Sequence, residues 1–279
     1  MAKFFFHYFF LLLGTAGAAL AQTPATNLMP DGSHDLYIGL GAELRPTYQG
    51  AQESRAVALP VVQMQWSNGA FIAGMSAGVH LSDQVQQEYG PMLQLEGRRS
   101  SDGTSTSAGA INNGITQAGQ INGNKLVGMD DINPRLLAGG FYHVAISDAL
   151  RLTNSLLYGA GNNHDGLRWN SDLHYHIMPF ALHHVWSVSA GVTVVNQAYN
   201  QAYFGVTPAE SARSHLRAYA PSASVKDMHA DLHWNWSLSP AWLLTSALNI
   251  TRLNGSAADS PLVERRTNLT VSSALAYRF

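Results

Sequence analysis

Two runs of alternating polar residues hold the side chains best suited to chemistry. One contains Arg168, Asn170, Asp172, His174 and His176, the other Asp227, His229, Asp231 and His233. In an extended chain, residues two apart share a face about 7 Å from one to the next, so each run aims its imidazoles and carboxylates the same way. Imidazoles and carboxylates in that pattern suit zinc, copper or nickel, and an Asp/His pair suits proton transfer. The plainer reading is the polar wall of a hydrated lumen, where His and Asp are ordinary lining residues. That reading is preferred because no positioned nucleophile accompanies the His229/Asp231 pair. Eight residues are therefore assigned as lumen-lining candidates: Arg168, Asp172, His174, His176, Asp227, His229, Asp231 and His233. No catalytic residue, metal or cofactor is assigned.

The elements that must hold these runs follow from their opposite faces, which are apolar and aromatic: Leu167, Trp169, Leu173, Tyr175 and Ile177 in the first, Met228, Ala230, Leu232, Trp234 and Trp236 in the second. Period-two contrast of this kind marks a β-strand between two environments. The same pattern recurs in Trp242, Leu244, Leu248 and Ile250, in Trp186, Val188, Val192 and Val194, and in Leu150, Leu152, Leu156 and Tyr158. In the last strand Leu269, Val271, Leu275, Tyr277 and Phe279 oppose Asn268, Thr270, Ser272 and Arg278. Weaker runs cover residues 35–45, 55–66, 70–81, 89–99 and 135–147, which makes eleven runs in all. A closed barrel with both termini on one side needs an even number of strands, so the expectation is about twelve, with ten as the alternative.

Connections alternate between tight turns at 147–149 and 239–240 and long polar stretches at 196–220 and 254–266, which are expected outside. The stretch 100–131 is left without a side, because the missing strand could lie within it. Aromatic residues sit toward the ends of the apolar faces, as a lipid-interface girdle requires, and those faces carry almost no charge. A soluble sandwich also alternates, but only lipid tolerates an uncharged exterior so cheaply. The fold class expected is an all-β, closed, antiparallel transmembrane barrel.

Charged residues are 12% of the 279, hydrophobic ones 46%, and the formal net charge is −2. With no Lys/Arg run, nothing suggests nucleic acid as a partner. The absence of cysteine excludes disulfides, thiolate metal sites and a lipidated N-terminal Cys. Lys3, the apolar run 4–13 and Ala19-Leu20-Ala21 form a signal peptide expected to be cut after Ala21. The domain reading is thus 1–21 signal peptide, 22–34 short periplasmic leader and 35–279 barrel. The expected location is the outer membrane of a Gram-negative cell, with outer-membrane lipid as the surrounding solvent.

Several motifs then resemble one known family. Pro46-Thr47-Tyr48-Gln49-Gly50, Leu59-Pro60, Tyr203-Phe204-Gly205-Val206-Thr207 and Ala257-Ala258-Asp259-Ser260-Pro261-Leu262-Val263 are similar, in order and spacing from about Asp35 to Phe279, to the MipA/OmpV family of MltA-interacting proteins. The loop around Asp259, Ser260 and Pro261 is the most specific part. Gln49 stands where the family pattern leads one to expect Glu, so any role of that carboxylate is not carried over. The resemblance implies a non-enzymatic scaffold docking a periplasmic lytic transglycosylase (murein hydrolase) and a murein synthase, and it brings no catalytic residues. Other members implied by the resemblance are adhesins or porin-like proteins, so a passive channel for small polar solutes and a surface adhesin are the alternatives. Tyr277 and Phe279 resemble the terminal signal read by the barrel assembly machinery, the partner expected during biogenesis.

Overall fold

A wall separating lipid from a lumen needs side chains that alternate outward and inward, and that alternation runs round the whole molecule. The computed structural model describes residues 30–82, 84, 86–101, 125–159, 166–177 and 182–279. The expected signal peptide and most of the expected leader lie outside the described residues. The strands are β1 (His34–Pro46), β2 (Ser54–Trp66), β3 (Ala70–Ala73), β4 (Ser76–Val79), β5 (Gln87–Glu96) and β6 (Arg135–Ala145), followed by β7 (Leu150–Gly159), β8 (Gly166–Ile177), β9 (His184–Val195), β10 (Ser224–Ser237), β11 (Trp242–Leu253) and β12 (Thr267–Arg278). Each pairs antiparallel with the next, and β12 closes on β1, giving a twelve-stranded barrel. Closure satisfies backbone groups that lipid could not. No helix among the described residues is long and apolar enough to cross a membrane.

The eleven runs become twelve strands because 70–81, read as one strand, is a hairpin. Gly74, at φ +56, reverses the chain, and apolar residues on both sides of it hide the turn from a period-two reading. The missing strand is thus accounted for without the stretch 100–131, of which residues 102–124 lie outside those described. These two strands are short, so β3 pairs with β2 only at Gln63, Met64 and Gln65. The upper part of β2 has no ladder partner on that side among the described residues. The Gly74 N–H donates to the Val62 carbonyl at 2.8 Å, and parity turns Pro60 toward the same edge. Proline there removes one donor from an otherwise open edge.

Helices interrupt the loops that the sequence reading left as polar coil: α1 (Gln197–Phe204), α2 (Pro208–Ser214) and α3 (Gly255–Ala258). The signals were local. Asn196 caps α1, and Thr207 with Glu210 makes a capping box with Pro208 in the first turn of α2.

Outward positions such as Leu40, Leu156 and Leu269 are half or more exposed, whereas inward ones such as Glu43, Gln94 and Thr193 are buried. Phe71, Met92, Leu137, Phe141 and Leu157 form an apolar cluster inside the barrel, and Leu59, Val61 and Ala274 form a second. Part of the interior that the sequence reading took as hydrated is therefore filled by apolar side chains. Alternation reports which face is inward but not whether water or side chains fill the space, which depends on diameter and volume. Tyr158 and Trp169 stand outward near the ends of β7 and β8 on the rim that carries the long loops. Trp186, Trp234, Trp236 and Trp242 stand near the other rim, where three of the indoles stack.

Val271, 41% exposed, lies on the outer face mid-way along β12, in register with Leu44 and Leu248. Val271→Arg is expected to cost about 2 to 4 kcal/mol of barrel stability and to leave much of the protein unfolded by heat-modifiable gel mobility. Its neighbour Ser272 is 6% exposed and packed inside beside Glu43. Ser272→Arg, harmless in a hydrated lumen, is here expected to cost about 1 to 3 kcal/mol through overpacking. Wild-type folding of Val271→Arg would show that the faces are inverted.

Candidate functional site: a capped polar lumen

The site begins with how α1 enters the barrel mouth. The Asn196 side-chain carbonyl accepts from the N–H of Tyr199 and from that of Leu167, both at 3.0 Å, which ties the helix start to the edge of β8. Gly166 makes the approach possible, since a Cβ there would meet Tyr199 at 2.9 to 3.2 Å. One helical turn apart, Tyr199 and Tyr203 stack at 4.7 Å between ring centres and aim both hydroxyls at Glu96.

Glu96, at the end of β5, collects donors from three elements. Its oxygens accept from Tyr203 at 2.8 Å, Tyr199 at 3.2 Å, Arg135 Nε at 2.7 Å and Arg168 Nη1 at 3.1 Å. Burial, reinforced by the Glu96 charge, pushes the Tyr203 phenol well above its ordinary range, so it stays a neutral donor. One carboxylate here faces two guanidiniums.

A second row runs across β8, β9 and β10. A register shift between Val225 and Asp227 inserts an extra residue in β10, so that Lys226 and Asp227 are both buried. Lys226 Nζ lies 2.9 Å from Asp227, whose other oxygen meets His229 Nδ1 at 3.0 Å, and His229 Nε2 meets Asp172 at 2.5 Å. The last contact bridges β8 and β10 over Gly191, in register with both; a Cβ there would sit 2.2 Å from Asp172 and 2.6 Å from His229. Lys226 also donates to Gln49 and lies over the Tyr199 ring, which joins the two rows.

Of the eight sequence candidates, Asp172, Asp227 and His229 come together, and Arg168 joins the Glu96 row. The remaining four lie nearer the other rim. His174 meets Thr153 Oγ1 at 3.1 Å, Asp231 accepts from Ser189 and Asn249, His233 is buried and His176 half-buried. Glu96, Arg135, Tyr199 and Lys226 were not singled out from the sequence, and Tyr203 was named there only as part of a family motif. Both ring nitrogens of His229 are engaged by carboxylates, which leaves it no free nitrogen to activate a nucleophile.

Above these rows the loops interlock. Tyr48, Ala51, Leu126, Met129, Val206 and Leu262 form one buried cluster contributed by four loops. In the loop around Asp259, Ser260 and Pro261, the Ser260 hydroxyl donates to the Phe204 carbonyl at 2.6 Å, while the exposed Asp259 pairs with Arg266 at 3.0 Å. Tyr48 donates to the Leu262 carbonyl at 3.1 Å, and burial, with Glu264 beside it, pushes its phenol up. A cavity of about 190 Å³ remains beneath this cap. At the opposite end Tyr277 packs edge-on between Trp242 and Phe279, and the Phe279 N–H donates to the Leu36 carbonyl.

The family model described as MltA-interacting protein MipA matches residues 38–279. The chain belongs to the MltA-interacting protein (MipA) family. Its membership and its barrel fold locate it in the outer membrane. The MltA-interacting protein of Escherichia coli (strain K12) is 29% identical over 154 residues, and so is that of Shigella flexneri. Each alignment covers 54% of this chain and 59% of the relative, so the chain spans about three fifths of the length of these relatives. Among solved structures, the COG4313 outer membrane channel of Pseudomonas putida F1 is 10% identical with a TM-score of 0.44, over 90% of this chain and 97% of that one. The outer membrane channel DcaP of Acinetobacter baumannii is 7% identical with a TM-score of 0.38, over 88% and 96%.

Glu96→Ala is expected to strand two buried guanidiniums and cost about 3 to 5 kcal/mol, read as a lower denaturant midpoint by tryptophan fluorescence of the barrel in micelles. Tyr203→Phe, which removes a single donor to a charged group, is expected to cost about 1.5 to 3 kcal/mol. Equal, negligible effects of both would mean that Glu96 does not anchor α1.

Proposed function

We propose that the protein is a non-enzymatic, non-conducting outer-membrane barrel that docks a periplasmic murein hydrolase and synthase. The observation that carries this reading is the packed lumen. Inward side chains from every part of the wall are buried, an apolar cluster lies among them, and four loops interlock over one mouth. A solute channel of the porin type needs a continuous wet path, and these features oppose one. The family's description, MltA-interacting protein, supports a docking role. The full activity and partners of the curated relatives are carried over here only as part of this proposal.

The rim with the short turns supplies a surface of suitable chemistry. Leu81, Ile146, Leu182 and Leu238 stand exposed on four separate turns or strand ends there, Leu182 at 86%. Short turns face the periplasm in bacterial barrels, so these residues lie on the side where murein enzymes work. Exposed apolar side chains clustered on one rim fit a protein contact or the adjoining lipid interface.

Crosslinking in intact envelopes separates these uses. With the wild-type barrel as bait, a lytic transglycosylase and a murein synthase are expected to co-purify. The combined Ile146→Ser and Leu182→Ser variant is expected to recover at least about tenfold less, which corresponds to losing about 1.4 kcal/mol of binding. Recovery of no wall enzyme by the wild type would sink the docking role.

A further inference from the structure

The cavity of about 190 Å³ under the cap has more polar capacity than the protein uses. Its wall on β8 and β9 includes Arg168, Asn170 and Thr193, all at most 3% exposed. Asn170 and Thr193 are cross-strand partners, and Arg168 is two residues along on the same face, so the three adjoin. Each carries a buried atom with no hydrogen-bond partner among the described residues: Arg168 Nε, Asn170 Oδ1 and Thr193 Oγ1. The Asn170 amide makes one bond, from Nδ2 to Ser155 Oγ at 3.4 Å, so whichever way the amide is turned one end stays unused. Three adjacent unmet groups are unusual in a native interior, where such groups are nearly always paired. A donor, an acceptor and a hydroxyl together match ligand hydroxyl groups, each of which both donates and accepts.

Charge defines the ligand further. Glu96 is one carboxylate against Arg135 and Arg168, and the Arg99 guanidinium beside the cavity donates to the carbonyls of Tyr203 at 2.6 Å and Asp130 at 3.4 Å. With Lys226 matched by Asp227 in the same lining, the pocket keeps a cationic surplus at Arg99, Arg135 and Arg168 in a place of low dielectric, where one carboxylate is favoured. A cavity of this size has room for one small ring.

We propose that this cavity is a binding site for one acidic monosaccharide, its hydroxyls meeting Arg168, Asn170 and Thr193 and its carboxylate drawn to the surplus guanidinium charge. The site is independent of the docking role, because it lies at the end of the barrel opposite the short turns. It also gives the cap a use beyond sealing, since ligand and α1 share the Glu96 row.

Calorimetry on the full barrel in micelles, with D-galacturonate and D-galactose as probes, tests the site. Galacturonate is expected to bind with a Kd of about 1 mM or tighter and galactose at least tenfold more weakly, a gap of about 1.4 kcal/mol. Galacturonate alone is also expected to raise the melting temperature of the wild type. Thr193→Val removes a hydroxyl that the protein itself leaves unpaired, so it is expected to fold at least as well as wild type while binding galacturonate about tenfold more weakly. Absence of heat with galacturonate, equal affinity for both sugars, or unchanged affinity in Thr193→Val would each overturn the proposal. If Thr193→Val fails to fold, the calorimetry and melting comparison of the two sugars on the wild type decides it.

Discussion

Much of this structure depends on a single buried carboxylate. Glu96 sits where β5 meets the outer mouth and accepts hydrogen bonds from Tyr199, Tyr203, Arg135 and Arg168. Without it, two guanidiniums would lie desolvated and α1 would lose both hydroxyl anchors. With it, a helix that begins as a loop excursion becomes part of the lumen filling. A buried ionic contact gives little net stability over an apolar replacement, because desolvation offsets most of the attraction. What it gives here is position, since both hydroxyls of α1 converge on a carboxylate that two wall guanidiniums already hold. The Asp172 to Lys226 row extends that placement across β8, β9 and β10.

From the anchored helix the closure of the barrel follows. Phe204, at the end of α1, accepts from Ser260, and Val206 just beyond packs with Tyr48 and Leu262, so three loops are held by contacts that start at Glu96. The family motifs around Tyr48, Tyr203 and Ser260 thus meet in space. Asp259 is the exposed member of its motif, while Ser260 makes the buried bond.

The wall was legible in the sequence and the lumen was not, for a physical reason. Alternation is local, so the faces of Arg168, Asp172, Asp227 and His229 could be read directly. Which of them touch depends on register between strands far apart in sequence. Asp172 meets His229 only because Gly191 falls between them, and Lys226 turns inward only because β10 carries an extra residue. Glu96, in a run of weak alternation, showed no sign of gathering donors from residues as distant as Tyr203. The capping residues of α1 and α2 were present in the sequence but were read as polar loop. Gly74 was likewise hidden, because apolar residues flank the turn on both sides.

The central claim is that the barrel is closed by its own interior. Planar-bilayer recording of the purified, folded wild-type protein tests it most directly. The account predicts a silent membrane, with no steady single-channel steps at any moderate voltage, because side chains and α1 occupy the path an ion would take. Stable open-channel currents from that protein would contradict it.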